Sequence, residues 1–219
     1  SIGNGAMGQR ANFEEQYSGA TFKGSYIAGV YYPDKTKVGW WKNGYPEYFA
    51  KVLNAPNWIG INVEINGESL DLSKCKSVSN FRRELNMQEG WYQRSFQAVL
   101  QNDVEISVHV TRFLSLDIDE LGAIKYEVTP INSDAKVVFK PYLDAGIENE
   151  DTNWEEKFWE TLEIKNEENA AFVVARTLKT KFTVATYMQN QIIVNNEITD
   201  VKPVEVSKET SKISFAYEV

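Results

Sequence analysis

A single cysteine, Cys75, and a single histidine, His109, stand in 219 residues. One cysteine closes no intramolecular bridge, and this pair offers no cluster of ligands for zinc, so no metal site is expected. Nucleophilic catalysis by a Ser-His-Asp or Cys-His set would have to use His109, which falls mid-strand on a polar face and reads as a satisfied surface or second-sheet histidine. No run approaches the eighteen apolar residues of a membrane helix, no Asn-x-Ser/Thr acceptor occurs, and nothing at Ser1 reads as a signal peptide. Basic residues are outnumbered, 23 Lys and Arg against 31 Asp and Glu, and the net charge is −8. Nucleic acid and acidic membranes call for a basic surface, so neither is an expected partner. The chain reads as soluble, cytoplasmic or periplasmic.

What is present is a two-residue beat. In "IGINVEINGESLDL" Ile59, Ile61, Val63 and Ile65 alternate with small or polar residues, Asn66-Gly67 intervenes, and Leu70 and Leu72 resume. Asn and Gly both tolerate the positive φ of a type I′ turn, so this predicts a hairpin. The beat returns in "VEISVHVTRFLSL", "AIKYEVTPI", "AKVVFKPYL", "FVVART", "KFTVATYMQ" and "KISFAYEV". Half-buried antiparallel strands separated by turns imply an all-β, two-sheet sandwich.

Helix is expected in two short pieces only. "YPEYFAKVLN" sets Pro46 in a first turn, pairs Tyr48 with Val52 and Phe49 with Leu53 at i, i+4, and stops at Asn54 and Pro56. "TNWEEKFWETL" offers a capping box, Thr152 with Glu155, and a stripe of Trp154, Phe158 and Leu162. No repeat, linker or low-complexity tract divides the chain, which predicts one domain over 1–219. The first residues open inside a glycine motif and the last strand alternates up to Val219, the expectation for one domain of a longer protein.

"GNGAMG", Gly3 to Gly8, has the spacing of a dinucleotide-binding loop, but the chain that follows is antiparallel β rather than βαβ. Ten acids and two lysines between Asp144 and Glu168 lack the Asp/Gly spacing of a calcium loop and read as a solvated face. The many other carboxylates allow many pairs, and no acid stands out as a glycosidase catalyst. No catalytic residue is assigned.

One stretch is unusual. "VGWWKNGYPEYFAKVLNAPNW", Val38 to Trp58, carries three of the six tryptophans. By spacing Tyr48, Phe49, Leu53 and Trp58 read as core. Trp40, Trp41 and Tyr45 flank a turn-like Lys42-Asn43-Gly44, and adjacent tryptophans in a strand point to opposite faces. Aromatic rings serve equally as core and as platforms for sugar rings.

Taken in order, Gly3-Asn4-Gly5, Gly8-x-Arg10, "YIAGVYY", "NAPNW", "INGESLDL", "LNMQEGWYQRSF" and "RFLSLDIDELGAIKYEVTPIN" resemble the N-terminal domain of glycoside hydrolase family 65, up to about Asp151. The resemblance implies a large two-sheet sandwich (a supersandwich) of the galactose-mutarotase-like type, joined through a helical linker to a catalytic (α/α)6 barrel downstream. It implies inverting phosphorolysis or hydrolysis of α-linked glucose disaccharides, with the general-acid glutamate and the phosphate-binding residues in the barrel. No cofactor is implied; inorganic phosphate is the co-substrate of a phosphorylase. Implied partners are the chain's own barrel, an α-glucosidic disaccharide, and a second copy in a homodimer. Trp40, Trp41 and Tyr45 are then core, barrel contact or substrate rim, and Arg10 is a buried structural arginine pairing across the glycine turn or a ligand contact. The alternative is an independent carbohydrate-binding module built on Trp40, Trp41 and Tyr45.

Overall fold

The computed structural model describes residues 1–36, 44, 46–149 and 157–219. Among them every regular element is a strand and every named pairing is antiparallel. The all-β sandwich read from the alternation is what forms.

One layer is a five-stranded sheet ordered Glu205–Lys208, Lys212–Glu218, Val137–Asp144, Ile61–Ile65, Glu68–Ser69. Its odd-numbered positions point inward: Val63, Ile65, Val137, Leu143, Ile213 and Phe215 are all buried. The facing layer has two parts. At one end lies a four-stranded meander, Ser77–Asn86, Trp91–Val99, Glu105–Leu114 and Gly122–Pro130, whose Phe96, Ile106, Val108 and Val110 pack on Val63, Ile65 and Val137. At the other, the sheet Trp159–Glu167, Ala170–Thr177, Thr183–Gln189 brings Val173 and Ala175 against Leu143, Ile213 and Phe215. A period-two strand with one buried face sets its register strongly, because a one-residue slip would expose the whole apolar set.

The Asn66-Gly67 turn forms as predicted, with Ile65 opposite Glu68 and φ of 50° and 81° at the two turn residues. The glycine motif is also a hairpin: Ile2–Gly3 pairs with Met7–Gln9, and no helix follows it, so its spacing serves a turn and no phosphate loop. Gly5 supplies the positive φ of 97° that the turn requires.

Two expected elements are different. The helix predicted over Pro46–Asn54 is instead the strand Tyr48–Val52, paired with Tyr31–Lys35. Its Tyr, Phe and Val residues favour the pleat, and in this pairing Lys51 reaches Asp34 at 3.2 Å inside the fold. Of the second helix, 152–156 lie outside the described residues, while Trp159 and Leu162 belong to a strand. There Ile164, paired opposite Val173, packs on the core, and Leu162 faces solvent.

Candidate functional site

Arg10, the one predicted site residue within the described set, leads to the main polar feature of the interior. It follows the glycine hairpin and begins a segment, residues 10–24, that crosses the inner face of the meander. Asn4 fixes the hairpin: its Oδ1 accepts from the Met7 amide at 2.7 Å, and its Nδ2 donates to the carbonyls of Ser115 (2.7 Å) and Asp119 (2.9 Å). Further on, the Ser18 amide donates to Asp71 Oδ1 at 3.2 Å, and the Ser18 and Ser73 hydroxyls meet at 2.5 Å. The segment is thus held at both ends.

Beneath it the core beat of two meander strands is interrupted by charge. Arg94 and Arg112 occupy inward positions between apolar neighbours, and both are buried. Arg94 grips Glu15 with two prongs, Nη1 to Oε1 at 2.6 Å and Nη2 to Oε2 at 2.5 Å, and donates to Glu14 Oε2 at 2.8 Å. Arg112 Nη1 lies 2.9 Å from Glu14 Oε1, and its Nη2 donates to the Arg10 carbonyl at 3.0 Å. Two guanidinium groups and two carboxylates sum to zero, the condition on which buried charge is tolerated. The rings of Phe13, 4.3 Å from Arg94 Cζ, and Tyr92, 5.0 Å from Arg112 Cζ, complete the enclosure.

Electrostatics follow from this closure. Burial disfavours the Arg94 cation, but the Glu15 and Glu14 carboxylates outweigh that and raise its pKa; for Arg112 burial prevails over Glu14 and lowers it. Burial, with Glu15 nearby, pushes the Tyr126 phenol well up. Clamped and shut from solvent, Glu14 and Glu15 have no path to a substrate. They are an ionic latch between the N-terminal segment and the meander.

Arg10 sits above the latch. Its amide donates to the Gly24 carbonyl at 2.8 Å, and its guanidinium lies 5.5 Å from the Tyr26 ring centroid and 5.9 Å from that of Phe22. Gly24 permits this approach, since a Cβ there would come within 2.8 Å of Arg10 Cδ. With Phe13, Tyr17, Phe22 and Arg83, Arg10 borders an open depression of about 600 Å³.

Trp40, Trp41 and Tyr45 lie outside the described residues, but the hairpin that carries them is visible. Tyr31–Lys35 and Tyr48–Val52 are its arms, and Asn54 clamps its base. Asn54 Oδ1 accepts from the Ser25 amide (2.9 Å), its amide donates to Asn149 Oδ1 (2.9 Å), and its carbonyl accepts from Trp159 Nε1 (2.9 Å). Of the cluster residues assigned to core, Leu53 is buried and Trp58 packs on the core, its ring against Gly122, whereas Tyr48 and Phe49 are exposed. His109 stands on the outer face opposite Ser95 and Glu127, where a surface histidine was expected. No group of three or more His, Cys, Asp or Glu among the described residues could hold a metal ion.

Comparison with known proteins bears on what this architecture belongs to. The whole of the chain, residues 1–219, matches the family described as glycosyl hydrolase family 65, N-terminal domain. The chain belongs to that family. A maltose phosphorylase of Bacillus subtilis is 45% identical over 196 residues, 87% of this chain and 26% of its own. An alpha,alpha-trehalose phosphorylase of Thermoanaerobacter brockii is 28% identical over 211 residues, 90% of this chain and 27% of its own. A solved chain provisionally assigned as a kojibiose phosphorylase from the human microbiome superposes with a TM-score of 0.80 at 25% identity, over 100% of this chain and 27% of that one. This family 65 domain therefore spans about a quarter of the length of the relatives it matches. Among the described residues no helix is long and apolar enough to cross a membrane.

The latch residues Glu14, Glu15, Arg94 and Arg112 escaped sequence reading. The signal was present: Arg94 falls on the beat of Tyr92, Phe96 and Ala98, and Arg112 on that of Val108, Val110 and Leu114. A charged residue on a core beat demands a buried partner.

Proposed function

We propose that this family 65 domain is the non-catalytic N-terminal part of an inverting disaccharide phosphorylase, with maltose as its first candidate substrate. The observation that carries the reading is the 45% identity to a maltose phosphorylase, well above the 28% to a trehalose phosphorylase and the 32% to a kojibiose phosphorylase of Thermoanaerobacter brockii. In this reading the domain, one unit over 1–219, packs on a catalytic (α/α)6 barrel later in the same polypeptide. A barrel glutamate protonates the glycosidic oxygen, and phosphate attacks the anomeric carbon from the opposite face. The bond from that carbon to the departing glucose breaks as the bond to phosphate forms, giving glucose and glucose 1-phosphate of inverted configuration. The domain contributes rigidity: the latch fixes the N-terminal segment, and the Asn54 clamp fixes the base of the hairpin formed by Tyr31–Lys35 and Tyr48–Val52.

The test is to supply the longer protein with maltose, trehalose or kojibiose, with and without phosphate. Phosphate-dependent glucose 1-phosphate from maltose is the expected result. Glucose released without phosphate would make the parent a hydrolase, and no product from any of the three would end the reading. The alternative carbohydrate-binding module would instead show saturable quenching of tryptophan fluorescence by maltose in this chain alone, lost in Trp40→Ala and Trp41→Ala.

A further inference from the structure

The outermost meander strand, Ser77–Asn86, carries the core pattern of its neighbours but is only partly covered by the described residues. By register Val78 lies opposite Ala98, Arg83 opposite Arg94 and Leu85 opposite Tyr92, and those three partners are buried. Phe81 stacks on Phe96, whose ring is 6.3 Å away, and meets Phe13 edge-on at 6.2 Å. Yet Val78, Phe81 and Leu85 are 39%, 42% and 46% exposed. The strand's other face, Ser77, Ser79, Arg82, Glu84 and Asn86, is polar, so the apolar side chains gather on the inward face and are exposed there all the same. It runs into the depression beside Arg10, Phe13 and Tyr17. Arg83 stands where the two meet, its guanidinium 4.9 Å from the Phe13 centroid and 5.3 Å from that of Phe81, with no carboxylate partner among the described residues.

We infer that this groove is the seat of the catalytic part of the same, longer polypeptide, which lays an apolar ridge on Phe81 and Leu85 and sets a carboxylate beside Arg83. The inference rests on the reading above that the domain belongs to such a polypeptide. Three observations select this occupant. The register shifts between Ser79 and Arg82, with Asn80 at φ 51°, and a bulge on an edge strand obstructs addition of a further strand, so cover has to come from side chains. A second copy placed by a two-fold axis centred on the groove would bring Arg83 against Arg83, a like-charge contact. The related maltose phosphorylase has roughly three-quarters of its length outside the matched region, since the chain covers 26% of it, and a tethered surface docks at high effective concentration.

Hydroxyl-radical footprinting of the full-length protein tests this, with the exposed Ile198 and Leu162, on other sheets, as internal references. Phe81 and Leu85 are expected to label several-fold less than their exposure in this domain implies, and Arg83→Glu is expected to raise their labelling while the references stay unchanged. Full labelling of Phe81 and Leu85 together with protection of Tyr31, Tyr48 and Val52 would overturn the groove as the docking face and leave the domain reading standing. Full labelling of both patches would overturn both. Protection that survives Arg83→Glu would overturn the carboxylate-bearing ridge.

Discussion

Arg94 and Glu15 face each other through two parallel hydrogen bonds of 2.6 and 2.5 Å, with neither side chain exposed to solvent. One belongs to the meander and the other to the segment behind the glycine hairpin, so the pair ties residues far apart in sequence. Such a pair costs desolvation of both ions and is held by geometry; removing one partner leaves the other charged, buried and alone.

Arg94→Ala is therefore expected to lower the free energy of unfolding by about 3–5 kcal/mol, the range for breaking a buried pair. Replacing both partners, Arg94→Met with Glu15→Met, is expected to recover most of that loss, because Glu14 keeps Arg112. Urea unfolding of the wild type, the two single variants and the double variant measures the coupling.

Asp71 sets an acid limit. Burial alone would raise its pKa, but hydrogen bonds from Ser73 and Ser18 outweigh burial and hold the carboxyl below its ordinary value. A depressed folded-state pKa contributes stability that is present above the unfolded value, about 3.9, and is lost as pH falls through the folded value. Between pH 7 and pH 5 this contribution is constant. Below about pH 4 the wild type is expected to lose stability more steeply than Asp71→Asn, as read from urea midpoints at successive pH values.

Cys75 is expected to be a sluggish thiol. Burial, with Glu68 and Asp71 adding repulsion, pushes its pKa up to about 11. At pH 8 the thiolate fraction is then smaller than that of a free cysteine by roughly a hundredfold. Ellman's reagent added to the folded protein should react slower by a factor of that order, and at the free-thiol rate once urea is present.

Asn54→Ala is expected to cost about 1–3 kcal/mol, because the buried Ser25 amide loses its acceptor. Asn54→Asp should not rescue it, since a carboxylate cannot donate to the Glu148 carbonyl as Asn54 Nδ2 does at 3.2 Å. Thermal unfolding of both variants checks the order.

Much of this fold was legible because its strands keep one buried face. The beats of Glu105–Leu114, Val137–Asp144 and Lys212–Glu218 are continuous, and Asn66-Gly67 marks its own turn. Ser77–Asn86 was missed because its bulge breaks the alternation and its polar face dominates the string. Tyr48–Val52 read as helix because Tyr48 with Val52 and Phe49 with Leu53 satisfy i, i+4 spacing in five residues that also suit a strand; pairing with Tyr31–Lys35 decides it. The pairing within the latch was illegible for another reason: Glu14 and Glu15 lie 80 and 79 residues from Arg94, and no local pattern states that distance. Arg10, singled out beside the glycine motif, lies opposite Gly24, whose carbonyl accepts from its amide.

The most direct measurement is turnover by this chain alone, in a sample whose cooperative unfolding shows it to be folded. With maltose and phosphate present, no glucose 1-phosphate or glucose should form at any protein concentration, while the longer protein turns over under the same conditions. Product released in proportion to the concentration of the isolated chain would contradict the account.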